Sequence, residues 1–410
     1  MTLDLTTAEQ AMLAGDAGPG TASAMRIVTE AAAILGAPRL VEIASAHIDG
    51  CLYHGDSGTR FAEHLAGAGA RVRVPATLNI GSLDLLNPAS VRMTGAARKS
   101  ALRLMRAYEA LGCRATWTCA PYQAGHRPAA GTDVAWGESN AVVFCNSVLG
   151  ARTNRYGDFL DIAAAICGRA PLTGLHLAQN RRARVVVDAG GLPAGIRDDD
   201  AAWPVMGALV GRRAGDAVVA LTGLEGFATE DRMKAFGAAA ASFGATALFH
   251  IVGVTPEAPT LDAILADDPA PDRFALTPAE IAAGFALLST APADAPVTAV
   301  GIGSPHLSLA ECRDLAARLA GRTVRLPFYA NTGRHVLAAL TAAERAALDD
   351  AGVTLIADTC IVATPIIQGD GVLMTNSGKF AHYAPGNIGH AVVYASLATC
   401  VDVAITGERT

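Results

Sequence analysis

Two cysteines stand apart from the other six by their surroundings. Cys119 lies in Thr116-Trp117-Thr118-Cys119-Ala120-Pro121-Tyr122, and Cys360 follows Asp358-Thr359. A free thiol most often packs as a small buried hydrophobe, and Cys167, Cys312 and Cys400 sit in apolar patterns that fit this use. The Thr, Pro, Asp and Tyr beside Cys119 and Cys360 instead suit a sulfur that faces a cleft, where a thiolate serves as metal ligand or nucleophile. The pair is 241 positions apart and no Cys-x-x-Cys occurs, which excludes a zinc ribbon or a thioredoxin motif. A metal site assembled from distant strand ends stays open beside plain core packing.

The polar neighbours of Cys119 extend the same theme. Gly137-Glu138-Ser139-Asn140 and Asn146-Ser147-Val148-Leu149-Gly150-Ala151-Arg152-Thr153-Asn154 place short hydrogen-bonding groups among Ala, Val, Phe and Gly. Solvated surface uses Lys, Glu and Asp, so this pattern points to partly buried polar atoms with definite partners, either a site or a well-satisfied loop. Lysine is rare, at Lys99, Lys234 and Lys379 only, and Lys379 ends the run Asn376-Ser377-Gly378-Lys379. That run fails as a P-loop, because Leu373 and Phe380 stand where a glycine and a Ser or Thr are needed. It suits instead an anion-binding turn with an ammonium beside it, matched to a carboxylate substrate. Gly301-Ile302-Gly303-Ser304-Pro305-His306 follows a strand-like run but lacks the third glycine of a dinucleotide fingerprint, and Pro305 removes a backbone donor.

These residues need strand ends and helix starts to hold them, and the chain supplies repeated strand-to-helix alternation of α/β type. Helices are expected at Thr7 to Leu13, with Thr7 and Gln10 as a capping box, and at Thr21 to Leu35, Thr59 to Leu65, Lys99 to Leu111 and Glu138 to Leu149. Strands are expected at Leu40 to Ala44, Ala70 to Val74 and Cys113 to Thr118, which puts Cys119 just past a strand end, where open α/β sheets carry their chemistry. Further strands fit Arg184 to Val187, Ala217 to Leu221 and Ala247 to Ile251, followed by a long loop, Thr255 to Asp272. A linker at Ala291 to Pro296 precedes a strand at Val297 to Ile302 and a helix capped by Ser308 and Glu311 that reaches Leu319. Thr323 to Leu326, a helix from Thr341 boxed by Glu344, and Val353 to Ala357 continue the alternation to Cys360. The expected division is 1–170, 171–290 and 291–410, in line with a length beyond what one hydrophobic core sustains.

Composition narrows the function classes. The net charge of -6 without a basic run argues against a nucleic-acid partner. The most apolar stretches, Gly237 to Val254 and His390 to Thr406, carry His250 and Asp402, so neither reads as a membrane helix. The first residues do not read as a secretory signal, so the expected location is the cytoplasm and the eight cysteines read as reduced thiols.

Taken in order, Cys119-Ala120-Pro121-Tyr122, Glu138-Ser139-Asn140, Asn146 to Asn154, Gly303-Ser304-Pro305-His306, Asp358-Thr359-Cys360 and Asn376-Ser377-Gly378-Lys379 resemble the catalytic large subunit of aconitase X, a branch of the aconitase superfamily. The resemblance covers nearly the whole chain. It implies an α/β fold, an aconitase-like core of about three domains with parallel-type sheets, and an iron-sulfur hydro-lyase. It also implies that the swivelling domain is a separate small subunit, since the sequence given stops at Thr410. Cys119 and Cys360 match cluster-binding cysteines, while Ser304 stands where archaeal relatives have a third, so Ser304, Cys312 or Cys51 is the candidate third ligand. Gly50, Cys51, Leu52, Asn79, Ile80, Glu138, Ser139, Ser377 and Lys379 match segments that line the substrate pocket. Lys379 or Arg152 is then expected to hold the substrate carboxylate, and His54 and His306 are candidate proton donors. The base is expected on the small subunit. Ser304 and the Lys-poor composition lean to the bacterial cis-3-hydroxy-L-proline dehydratases rather than to the archaeal phosphomevalonate dehydratases. Two competitors remain: a pyridoxal-phosphate dehydratase using Lys379, and a non-catalytic subunit that binds a small acid.

Overall fold

The computed structural model describes residues 3–266, 270–292 and 294–408. The expected loop from Thr255 to Asp272 therefore includes residues 267–269 outside the description, and the expected linker from Ala291 to Pro296 includes Ala293. The fold is mixed α/β with mainly parallel sheets, in two compact units.

The first unit comprises Met1–Leu83 and Met93–Arg182. It holds β1 (Leu40–Glu42), β2 (Ala46–Ile48), β3 (Ala76–Leu78), β4 (Ala135–Trp136) and β5 (Arg169–Pro171). A parallel sheet runs β3-β2-β4, and β1 pairs with β5 antiparallel. Two expected strands do not form. Ala70 to Val74 is an extended connection whose amides bond to helix ends, Val72 N to Leu111 O and Arg73 N to Ala165 O, rather than to a ladder. Along Cys113 to Thr118, the Thr116 hydroxyl shares Leu78 with the backbone, accepting from its N–H at 3.1 Å and donating to its C=O at 2.8 Å beside the bonds to Arg114 O and from Thr118 N, each 3.2 Å. Only one bridge, Thr77 to Arg114, remains, so Cys119 follows an irregular extended segment rather than a strand. The first capping box is also shifted by one residue. Thr6 caps and Glu9 answers, because the Glu9 carboxylate is a stronger acceptor for a helix-start N–H than the Gln10 amide.

The second unit comprises Asp84–Arg92 and Ala183–Thr410. Strands β6 (Val185–Asp188), β7 (Val219–Thr222), β8 (Phe249–Ile251) and β9 (Asp272–Ala275) form a parallel sheet ordered β8-β7-β6-β9. Strands β10 (Val297–Leu307), β11 (Phe328–Thr332), β12 (Val353–Ile356), β13 (Val372–Thr375) and β14 (Ala391–Tyr394) form another, ordered β12-β11-β10-β13-β14. Ser308 and Glu311 cap the helix Leu309–Leu319, and Thr341 and Glu344 cap Ala342–Ala351, both as expected. The strand expected at Thr323 to Leu326 lies later, at β11, because Val324, Arg325 and Leu326 give their amides to Ala351 and Ala404 of neighbouring helices. The core of this sheet is built from Val300, Ile302, Phe328, Leu315, Leu348 and their neighbours, and Cys312 lies inside it.

Candidate active site

Connections at the carboxyl ends of parallel strands carry the chemistry of open α/β sheets, and in the second unit three of them converge. Strand β10 runs on through Gly303, Ser304, Pro305 and His306; the turn after β12 carries Asp358, Thr359 and Cys360; the turn after β13 carries Ser377 and Lys379. Cys360 Sγ lies 3.9 Å from Ser304 Oγ, both side chains buried. Ser377 Oγ donates to Ser304 O and caps the ten-residue helix Gly378–Asn387, accepting from Phe380 N at 3.0 Å. Lys379 therefore occupies the first turn of that helix, where the backbone N–H groups and the helix dipole favour an anion. Ser304, Ser377 and Lys379 line a cavity of about 860 Å³ together with Asp231, Lys234 and Glu311.

The turn bearing Cys360 is held from every side. Asp358 is wholly buried at φ 61° and takes a two-pronged ion pair from Arg334, at 2.7 and 2.6 Å. His306 is also wholly buried, and its Nε2 lies 2.9 Å from Thr359 O. The cavity wall behind Ser304 is fixed by Lys234, which reaches Asp231 at 2.9 Å, Glu311, and the carbonyl of His306 at 3.5 Å. The two carboxylates push the Lys234 ammonium pKa up against the opposing effect of burial.

The first unit holds the remaining candidates. Asn140 Nδ2 donates to Cys119 O at 3.0 Å and lies 3.2 Å from the Tyr122 hydroxyl, while Tyr122 stacks on Phe144 with ring centroids 3.5 Å apart. The expected helix at Glu138 forms as Ser139–Ser147, with Glu138 itself as the cap: its Oε2 accepts from Ala141 N at 2.7 Å and its Oε1 from Ser139 Oγ at 3.3 Å. The block Asn146 to Asn154 is mostly structural. Asn146 ties both backbone groups of Thr153 at 3.0 Å, and the buried Arg181 donates to Asn146 Oδ1 and to the carbonyls of Asn146 and Ala151. Arg152 is half-buried, with its Nε lacking a hydrogen-bond partner among the described residues.

Gly50, Cys51 and Leu52 form the turn after β2 and Asn79 and Ile80 the one after β3, so these five lie at neighbouring ends of one sheet. Asn79 Nδ2 donates to Asp49 Oδ1, and Asp49 N donates to Asp161 Oδ2 at 2.6 Å. Asp161 is a group that sequence reasoning missed. It is wholly buried, and that burial raises its carboxyl from an ordinary 3.8 to about 8. In the sequence it sits in Phe159-Leu160-Asp161-Ile162, with nothing to mark it beyond a charge in an apolar run. Burial also pushes the Cys51 thiol up, and its Sγ–H points to Ile48 O at 3.5 Å. His54 is exposed.

Among the three suggested third ligands, Cys312 is enclosed by apolar neighbours and Cys51 is turned to a carbonyl, while Ser304 stands beside Cys360. Among the described residues no three His, Cys, Asp or Glu side chains gather as a metal-binding group. The Cys360 thiol and the Ser304 hydroxyl, 3.9 Å apart and both buried, would offer a sulfur and an oxygen donor to one iron.

Models of the first, second and third domains of aconitase X match residues 2–179, 183–286 and 297–406. The chain belongs to the aconitase X family. It is 42% identical to a cis-3-hydroxy-L-proline dehydratase of Pseudomonas aeruginosa, covering 98% of this chain and 70% of that protein. A protein of the same name from Hypocrea jecorina is 39% identical, covering 99% and 69%. The phosphomevalonate dehydratase large subunit of Methanothermobacter thermautotrophicus is 36% identical, covering 94% and 95%. The crystal structure of Thermococcus kodakaraensis aconitase X, holo-form, superposes with a TM-score of 0.87 at 32% identity, covering 98% of this chain and all of that one. Among the described residues of this aconitase X chain, no helix is long and apolar enough to cross a membrane.

Proposed function

We propose that this aconitase X chain is the large subunit of a hydro-lyase that removes water from cis-3-hydroxy-L-proline to give pyrroline-2-carboxylate. The observation that carries this reading is the 42% identity to a protein of that activity across 98% of the chain. Cys119 and Cys360, with Ser304, would hold an iron-sulfur cluster. When bound, such a cluster supplies a Lewis-acidic iron that makes a substrate hydroxyl a better leaving group.

The chain's own residues do the rest. Lys379, Ser377 and the amides at the helix start bind the substrate carboxylate, which raises the acidity of the neighbouring C–H. Glu138 and Ser139, and the turns at Gly50-Cys51-Leu52 and Asn79-Ile80, shape the pocket around the ring. Arg152 is a second candidate for the carboxylate. Of the two histidines we favour His54 as the proton donor to the departing hydroxyl, because His306 Nε2 is engaged with Thr359 O at 2.9 Å. A base removes the C–H proton as the C–O bond breaks, and we assign that base to a small partner subunit. Support comes from archaeal relatives named as large subunits, each of which matches 92% or more of this chain. The same relatives favour phosphomevalonate as the second reading. Eight buried thiols suit a reducing compartment such as the cytoplasm.

Iron and sulfide analysis of the anaerobically purified chain tests the cofactor assignment. Stoichiometric iron and sulfide with visible charge-transfer absorption is the expected result. A Schiff-base band from Lys379 without iron would replace this reading with the pyridoxal-phosphate one.

A further inference from the structure

We infer that Asn331 is the positioning residue that fixes Cys360, an inference that extends the reading of Cys360 as an iron ligand. Asn331 lies in β11 and is wholly buried. Its Nδ2 donates to Thr359 O at 2.6 Å, and its Oδ1 accepts from Ile361 N at 3.0 Å. One side chain thus grips the backbone immediately before and immediately after Cys360. The thiol between those two bonds has no freedom to swing with its loop.

The same asparagine also shapes the segment bearing Ser304. Gly303 has φ +92°, and a Cβ there would stand 2.1 Å from Asn331 O, so the residue before Ser304 lies directly on the Asn331 backbone. Its Nδ2 also lies 3.0 Å from His306 Nε2. The Asn331 side chain therefore meets both the Cys360 turn and, at His306, the segment that carries Ser304. Thr364 completes the cradle, donating to Cys360 O at 2.7 Å.

The chemistry requires this residue type. Holding a carbonyl and an N–H at once needs a donor and an acceptor on one short planar group, which an amide supplies. Aspartate keeps the acceptor for Ile361 N and sets an oxygen against Thr359 O. Leucine keeps neither, and glutamine is one methylene too long for a buried site. Partners that orient metal ligands in this way are worth about 10- to 100-fold in metal affinity.

The test uses the full chain and its Asn331→Asp and Asn331→Ala variants, each verified as folded by a cooperative thermal melt. Metal-free protein is treated with iodoacetamide, and alkylation of each cysteine is followed by mass spectrometry. Cys360 should react at least about ten-fold faster in the variants, while Cys119 keeps the parent's rate. After loading with ferrous iron and sulfide, the variants should release iron to a chelator at least about ten-fold faster. Equal Cys360 alkylation in the parent and in folded Asn331→Asp would overturn the clamp; should the alanine variant fail to fold, the near-isosteric aspartate variant decides. Faster alkylation in the variants of a parent that binds no iron would keep the clamp and remove the reading of Cys360 as an iron ligand.

Discussion

In the proposed reaction Cys360 and Cys119 hold the cluster, and the sequence marked them by their polar neighbours. Replacing either with serine should abolish dehydration and lower bound iron by at least about ten-fold, read by activity and iron analysis together. Loss of activity with full iron would assign the cysteine to a substrate contact instead. What the sequence could not mark were buried polar groups within apolar runs. Asp161 looks like part of an apolar helix and proves to be an enclosed carboxyl under the Asp49 turn. Its carboxyl is raised to about 8 from 3.8, so between those values the folded chain holds a proton that the unfolded chain has lost. Stability from this group is full at low pH and is lost as pH rises toward 8. In thermal melts the parent should therefore fall relative to Asp161→Asn between pH 5 and 8, and parallel curves would show that Asp161 is ionised throughout.

At the scale of elements, the helices were legible because their ends carry chemistry of their own. Ser308 with Glu311 and Thr341 with Glu344 close the capping boxes that their spacing foretold. Short strands were not legible: β2 and β3 are three residues each in an alanine-rich chain, and no alternation can show at that length. The Thr116 hydroxyl that shares Leu78 with the backbone of its segment is likewise invisible until Leu78 is placed opposite it. The β11 register hid Asn331 and Arg334 in the same way, because the strand was expected some residues earlier. Removing Arg334 tests how firmly this element anchors the Cys360 turn. Arg334→Ala leaves the Asp358 carboxylate buried without its guanidinium, and we expect a loss of about 3 kcal/mol in urea unfolding. A change below about 0.5 kcal/mol would mean that solvent replaces the arginine.

For the molecule as a whole, the motif order along the chain carried the family, and the three domain matches bear it out over residues 2–179, 183–286 and 297–406. The same order could not say which substrate the pocket accepts, because the carboxylate anchor proposed at Ser377 and Lys379 suits any small hydroxy acid. The base is proposed to lie on a small partner subunit. Activity of the large subunit alone should be at most about 1% of that of the complex, since loss of a general base costs 10²- to 10⁴-fold. Full activity without a partner would place the base among the residues of this chain. The central claim is tested most directly by one assay of the anaerobically prepared complex with its small subunit, offered cis-3-hydroxy-L-proline and phosphomevalonate in parallel. Conversion of cis-3-hydroxy-L-proline to pyrroline-2-carboxylate, with phosphomevalonate left intact, is the expected result; turnover of phosphomevalonate alone, or of neither, would contradict it.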